Sequence, residues 1–135
     1  MEQSRRSGIP MTLLALDLDW FKSINDSLGH QAGDAALRGV ADILRARIRR
    51  SDRAFRIGGE EFLTFLYGAD AERGRQIAED LRNAVASKPL VPGRPITVSI
   101  GVAAYSGDQN WEQWLNRCDQ NLYGAKAAGR NAVVG

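Results

Sequence analysis

One cysteine and one histidine in 135 residues remove several chemistries at the outset. Cys118 has no partner for an internal disulfide, and its apolar neighbours point to a buried thiol in a reducing, cytoplasmic setting. His30 has no second histidine at metal-ligand spacing, so it reads as a structural residue of a Gly29-His30-Gln31 loop. There is no Walker-type Gly-Lys-Ser/Thr loop, and no nucleophile–base pair for covalent catalysis stands out. No apolar run approaches the ~20 residues that a membrane span needs. Arg5 and Arg6 ahead of the apolar run from Met11 to Leu16 resemble the start of a signal peptide. Asp17 and Asp19 cut that run short, and no small-residue cleavage site follows. The net charge is only +2, which gives no warrant for a nucleic-acid or membrane partner. Repeats, low-complexity tracts and linkers are missing too. What remains is a single soluble domain over residues 1–135, long enough to bury a genuine core.

The apolar pattern orders the elements. Met11 to Leu18 reads as a buried central strand. After Gly33-Asp34, Leu37, Val40, Leu44 and Ile48 recur at helical spacing, in a helix ending in the basic cluster from Arg45 to Arg50. Two short strands follow, Ala54 to Ile57 and Phe62 to Tyr67. Ile77, Leu81 and Val85 mark a second helix, closed by Pro89 and Pro92. Ile96 to Val102 is rich in β-branched residues and reads as a strand. Trp111, Trp114, Leu115, Cys118, Leu122 and Ala125 form a third amphipathic helix, with Asn110 as N-cap and Gly129 as its stop. Ala132 to Val134 is a candidate edge strand. The core order β-α-β-β-α-β predicts an α+β, ferredoxin-like antiparallel sheet with helices packed on it, of the nucleotide-cyclase and polymerase-palm kind.

Between the two short strands stands Arg56-Ile57-Gly58-Gly59-Glu60-Glu61-Phe62. Gly58-Gly59 predicts a tight two-residue hairpin turn at positive φ. By itself, that pattern fits an ordinary charged surface hairpin equally well. The predicted topology breaks the tie. Strands one and three are central antiparallel neighbours in this fold, so Asp17 and Asp19 come to lie beside Glu60 and Glu61. Carboxylates converging at one sheet end repel unless a cation lies between them. Hard oxygen ligands of this kind suit Mg²⁺ or Mn²⁺. Strand alternation also implies that Glu60 and Glu61 have different roles.

Other residues admit two readings each. Lys22 is placed to contact phosphate as a point charge, or is a solvated surface lysine. Asn25 and Asp34 can present polar edges to a base, or stabilise a turn and cap a helix. Lys126 and Arg130 complement a helix dipole, or clamp a triphosphate. Trp111 and Trp114 read as packing residues.

Taken together, five separated motifs resemble the GGDEF-domain diguanylate cyclases in their Gly-Gly-Glu-Glu-Phe variant, from Met11 to Asn131. They are Asp17-Leu18-Asp19-Trp20-Phe21-Lys22-Ser23-Ile24-Asn25-Asp26; Leu28-Gly29-His30 with Gly33-Asp34; Arg56 to Phe62; Thr97 to Ala103; and Leu122 to Asn131. The resemblance implies condensation of two GTP into cyclic di-GMP with release of two pyrophosphates. It implies that Asp17, the Leu18 carbonyl and Glu60, with Glu61 as the less certain neighbour, hold two Mg²⁺ ions. It places Lys22, Lys126 and Arg130 on phosphate, with Lys22 and Glu60 also in catalysis. Asn25 and Asp34 become the guanine readers, with Phe21, Gly58 and Gly59 in the same substrate site. An antiparallel homodimer is implied because one domain holds one GTP. Arg49-Arg50-Ser51-Asp52 matches the family's Arg-x-x-Asp product-inhibition motif, Arg49 and Asp52 contacting cyclic di-GMP; a merely charged helix end is the alternative.

Two features depart from the family pattern. The usual helix and Asp-x-Leu-Thr motif ahead of strand one are missing, which implies a trimmed chain from a protein with an upstream sensory or membrane-anchored region. Asn121 stands where a small apolar residue is usual. The competing functional reading is a catalytically silent module that binds GTP or cyclic di-GMP as a sensor. The intact glycines and acids favour the enzyme.

Overall fold

The computed structural model describes residues 8–108 and 110–135; Arg5 and Arg6 of the signal-like start lie outside them. The elements run β1 (Met11–Leu18), α1 (Phe21–Leu28), α2 (His30–Arg47), β2 (Arg53–Arg56), β3 (Glu61–Tyr67), α3 (Ala71–Ser87), β4 (Val98–Ala104), α4 (Trp111–Ala127) and β5 (Val133–Val134). The sheet order is β2-β3-β1-β4-β5, antiparallel except for the parallel β4–β5 pair. This is the expected ferredoxin-like arrangement, with β1 and β3 central and Asp17 opposite Glu61.

β1 is buried along its whole length because both faces of the sheet are covered. Leu14, Leu16 and Leu18 join the larger core with Val40, Leu44, Leu81 and Val85 of α2 and α3. Met11, Leu13 and Ala15 point the other way, against Trp114, Cys118 and Leu122 of α4. Asp17 continues that second set, so strand alternation aims it at α4. Burial pushes the Cys118 thiol up to about 12, in keeping with an inert packing residue. Trp114 is buried and donates its indole N–H to the Ala103 carbonyl (2.7 Å), whereas Trp111 lies on the surface.

Three local expectations are corrected. The stretch after β1 is helical: α1 contributes Ile24 as its one buried residue, so no 3.6-residue period was there to read. Gly29, at φ 90°, separates α1 from α2, which therefore begins at His30 and carries Asp34 inside the helix instead of at its cap. The hairpin tip is wider than two residues. Gly58 and Gly59 are not among the glycines at positive φ, and the Ile57 N–H closes the tip on the Glu61 carbonyl at 3.0 Å. The Arg56 guanidinium staples the tip from the side, donating to the carbonyls of Gly58 (3.3 Å) and Gly59 (2.7 Å).

The far helix behaves as its sequence predicts. The Asn110 side chain accepts from the Gln113 N–H at 2.9 Å. After Ala127 the Gly129 and Arg130 N–H groups return to the carbonyls of Lys126 (3.2 Å) and Ala125 (3.1 Å), a Schellman ending with Gly129 at φ 111°. Asn121, the departure noted above, donates to the Val102 carbonyl (2.8 Å) and so ties α4 to β4. No helix among the described residues is long and apolar enough to cross a membrane.

Candidate active site

The open end of the β1–β3 pair gathers the charged residues. Asp17 faces Glu61 across the strands, and the Leu18 N–H donates to the Glu60 carbonyl at 3.2 Å. Lys126, one turn beyond Leu122 on α4, forms an ion pair with Asp17 Oδ2. Burial, then the neighbouring Glu60 and Asp19, raise the Asp17 carboxyl above its ordinary range, while Lys126 pulls it the other way. Glu61 is raised too, by burial and then by Asp119 and Asp17.

Asp19 does not share this role. Its carboxylate is buried and accepts from Ser99 Oγ (2.6 Å), Thr97 Oγ1 (2.7 Å) and the Asn131 N–H (2.9 Å). It fastens the end of β1 to β4 and to the segment after α4. Of the three or four carboxylates expected from sequence at this sheet end, Asp19 is thus engaged structurally, leaving Asp17 with Glu60 and Glu61 as its acidic neighbours.

Among the described residues Asp17 Oδ1 is buried with no hydrogen-bond partner. A buried acceptor left in that state is costly unless something else satisfies it. Among the described residues no three His, Cys, Asp or Glu side chains are grouped so as to hold a metal by themselves. An orphaned carboxylate oxygen with acidic neighbours, but no full cage, fits a hard divalent cation that takes its other ligands from water and phosphate. Mg²⁺ is commonly bound in this way.

Next to this cluster, α1 and α2 pack unusually closely. A Cβ on Gly33 would lie 1.9 Å from Asn25 Oδ1, so the glycine leaves the room in which the Asn25 amide sits. Asp34 follows it on the exposed side of α2, at the rim of a cleft of about 390 Å³ between α2 and β2 that Leu37, Arg38, Phe55 and Arg56 also line. Lys22 is exposed in the first turn of α1, and Phe21 beside it is half-buried. Trp20, the N-cap of α1, offers no side-chain cap to the helix amides. Gly58 and Gly59 have no packing need to be glycine: an added Cβ at Gly59 meets nothing within 4 Å, and at Gly58 only ordinary contact at 3.7 Å. Their lack of side chains leaves an open approach to the backbone beside Glu60.

Arg49 and Asp52 lie at the end of α2, away from this cluster. The Asp52 side chain is only 1% exposed and accepts from the backbone N–H of Arg49 (2.8 Å) and of Tyr67 (3.0 Å). The guanidinium of Arg49 lies 3.6 Å from it and also donates to the Tyr67 carbonyl. Asp52 thus holds the turn and Arg49 in place, and Arg49 is the member that faces solvent. The sequence reading had both as ligand contacts. It also missed the spacer role of Gly33, the staple role of Arg56 and the structural role of Asp19. Asp19 carried no signal, since its partners on Thr97, Ser99 and Asn131 are brought in by the fold, whereas those of Arg56 are carbonyls two and three residues along the same tip.

Known proteins share the sequence and the fold. The family model for the diguanylate cyclase GGDEF domain matches residues 1–132. The diguanylate cyclase DgcP of Pseudomonas aeruginosa is 46% identical over 131 residues, covering 95% of this chain and 20% of that protein. The active GGEEF domain of a diguanylate cyclase from Vibrio cholerae superposes with a TM-score of 0.93 at 32% identity, covering 98% of this chain and 86% of that one. The GGDEF domain of DgcB from Caulobacter crescentus, solved in complex with c-di-GMP, gives the same TM-score and identity over 98% and 81%. The chain spans about a fifth to a third of the length of the curated relatives it matches.

Proposed function

The chain belongs to the diguanylate cyclase GGDEF-domain family, and from that premise we propose that it condenses two GTP into cyclic di-GMP and two pyrophosphates. The observation that carries the reading is the orphaned Asp17 Oδ1 beside Glu60 and Lys126 at the open end of the sheet. Asp17, the Leu18 carbonyl and Glu60, with Glu61 alongside, would hold a pair of Mg²⁺ ions. Bound there, the ions supply charge stabilisation at the attacking and leaving oxygens.

The chain's own residues do the rest. Lys22, Lys126 and Arg130 neutralise the triphosphate, and the uncapped N-terminus of α1 turns its amides toward the same charge. Gly58 and Gly59 admit the nucleotide close to the hairpin backbone. Asn25 and Asp34 read the guanine edge, where a carboxylate accepts from N1–H and the exocyclic amine, and Phe21 packs beside the base. The 3′-hydroxyl oxygen of one GTP gives up its proton to solvent and bonds to the α-phosphorus of the other as that phosphorus loses its bond to the α–β bridging oxygen and pyrophosphate leaves; the reciprocal transfer closes the ring. Since one domain presents one GTP, two copies meet antiparallel, in a complex that need only be transient.

Incubation with GTP and Mg²⁺, with chromatography for cyclic di-GMP, tests the reading. Glu60→Gln should leave the fold intact and remove product. A folded sample of the full-length protein that binds GTP yet forms no product would leave the silent sensor module as the answer. Gly33→Ala makes a sharper test of the base site. The atom it strikes is the tip of a side chain, so Asn25 swings away at little cost, and alanine is the better helix former. The melting temperature should hold or rise while KM for GTP increases by about ten-fold, as expected for a lost base contact.

We also propose that Arg49 binds cyclic di-GMP as a feedback inhibitor while Asp52 positions it. Arg49→Ala should keep the initial rate and lose product inhibition in progress curves. Unchanged inhibition would remove this site from consideration. Asp52→Ala should instead destabilise the domain by about 2–3 kcal/mol, because two backbone amides lose a charged acceptor.

A further inference from the structure

Three non-glycine residues of the described backbone have positive φ: Trp20 (60°), Arg130 (66°) and Asn131 (46°). Trp20 is far in sequence from the adjacent pair Arg130-Asn131, and Trp20 and Asn131 flank one carboxylate, Asp19. Asn131 donates its N–H to Asp19 Oδ2 at 2.9 Å, and Trp20 is the residue that follows Asp19. Such conformations are strained for residues with side chains and persist where their surroundings over-determine them. Here the surroundings do so on both sides. The Schellman ending of α4 delivers Arg130, Arg82 holds the Asn131 side chain at 3.1 Å, and the Trp20 carbonyl accepts the Ile24 N–H at 3.0 Å to start α1.

The result is a stacked pair. The Arg130 guanidinium lies 4.1 Å from the centroid of the Trp20 ring. Trp20 is 58% exposed and belongs to neither core, so core packing does not account for a tryptophan there. Among the described residues Arg130 is in no ion pair with a carboxylate. A guanidinium stacked on an aromatic face keeps its in-plane N–H edges free to donate, so the stack and a phosphate contact are compatible at the same time.

We propose that Trp20 is a positioning residue for the reaction, its indole face holding the Arg130 guanidinium with its N–H edge toward the triphosphate. The proposal rests on the reading above that Arg130 meets phosphate. Preset in this way, the long side chain loses little rotamer freedom when the nucleotide arrives.

A double-mutant cycle on the full-length protein tests it, with KM and kcat for GTP and the affinity for 3′-deoxy-GTP with Mg²⁺, which lacks the attacking hydroxyl. Trp20→Ala should raise KM and weaken 3′-deoxy-GTP by about three- to five-fold with kcat nearly unchanged, and Trp20→Phe should restore most of the loss. In an Arg130→Ala background, Trp20→Ala should change neither, because the indole acts through the guanidinium. Equal effects in both backgrounds would overturn the proposal, as would an unchanged KM in Trp20→Ala when Arg130→Ala raises it. If Arg130→Ala itself leaves GTP affinity unchanged, the underlying phosphate assignment fails instead. Because Trp20→Ala can perturb α1, the conservative variant supplies a second readout. The emission that wild type has and Trp20→Phe lacks should shift on adding 3′-deoxy-GTP, and no shift would also overturn the proposal.

Discussion

Asp17→Asn should lower cyclic di-GMP formation by at least about 100-fold while the domain melts at the same temperature or higher. On the proposed metal assignment, the activity loss follows from removing a charged ligand where a bound cation would supply several kcal/mol of charge stabilisation, each ~1.4 kcal/mol being ten-fold in rate. The stability gain has the opposite origin. Burial, Glu60 and Asp19 raise the Asp17 carboxyl above its ordinary range despite the ion pair with Lys126. An acid whose folded value is raised contributes its full stability below the unfolded value and loses it as pH rises through the folded one. At neutral pH the ionised carboxylate is therefore a cost to the fold, and the amide removes it. Lys126 loses its partner but retains access to water. Thermal melts of both proteins should diverge as pH rises above the ordinary carboxylate range, with the asparagine variant ahead at neutral pH. An active Asp17→Asn would refute the metal assignment, and one that melts well below wild type would refute the charge argument.

Gly101→Ala should be strongly damaging for so small a change, costing about 3 kcal/mol or more in urea denaturation. Gly101 sits in β4 opposite Ala15 of β1 and Val134 of β5. A Cβ there would lie 2.3 Å from the Leu122 nitrogen, 2.4 Å from the Cys118 carbonyl oxygen and 2.9 Å from the Asn121 carbonyl carbon. All three are backbone atoms of α4, so no rotamer change relieves the clash and the helix must lift from the sheet. Lys126 is one turn beyond Leu122 on that helix and would lift with it, separating the ion pair with Asp17. Activity should fall with stability. A variant of wild-type stability would mean that α4 rides on the sheet more loosely than its contacts indicate. The contrast with Gly33 is instructive: there the obstructed atom is a side-chain tip, and the cost falls on ligand binding instead of on folding.

Much of this domain was legible in its sequence because the information is local. The apolar run from Met11 to Leu18 marked the central strand, the 3.6-residue repeats marked α2, α3 and α4, and Asn110 and Gly129 bounded the last helix through capping chemistry that the backbone itself demands. The element order then sufficed to set Asp17 against Glu61, since few sheet topologies satisfy it. Helix α1 escaped notice because one buried residue makes no period. The tip at Gly58-Gly59 was misread because its closing backbone bond, from the Ile57 N–H to the Glu61 carbonyl, spans a wider turn that the Arg56 side chain staples from outside the pair.

What the tertiary structure alone decided was the division of labour among like residues. In sequence Asp17, Asp19 and Asp52 are equally acidic. Asp19 proves to be consumed by hydroxyls and a backbone amide from distant segments, and Asp52 by the nearby Arg49 amide together with that of Tyr67 on β3, whereas among the described residues Asp17 keeps a buried oxygen unpaired. That difference depends on which donors the fold brings within 3 Å of each carboxylate, and residue identity carries no information about donors many positions away.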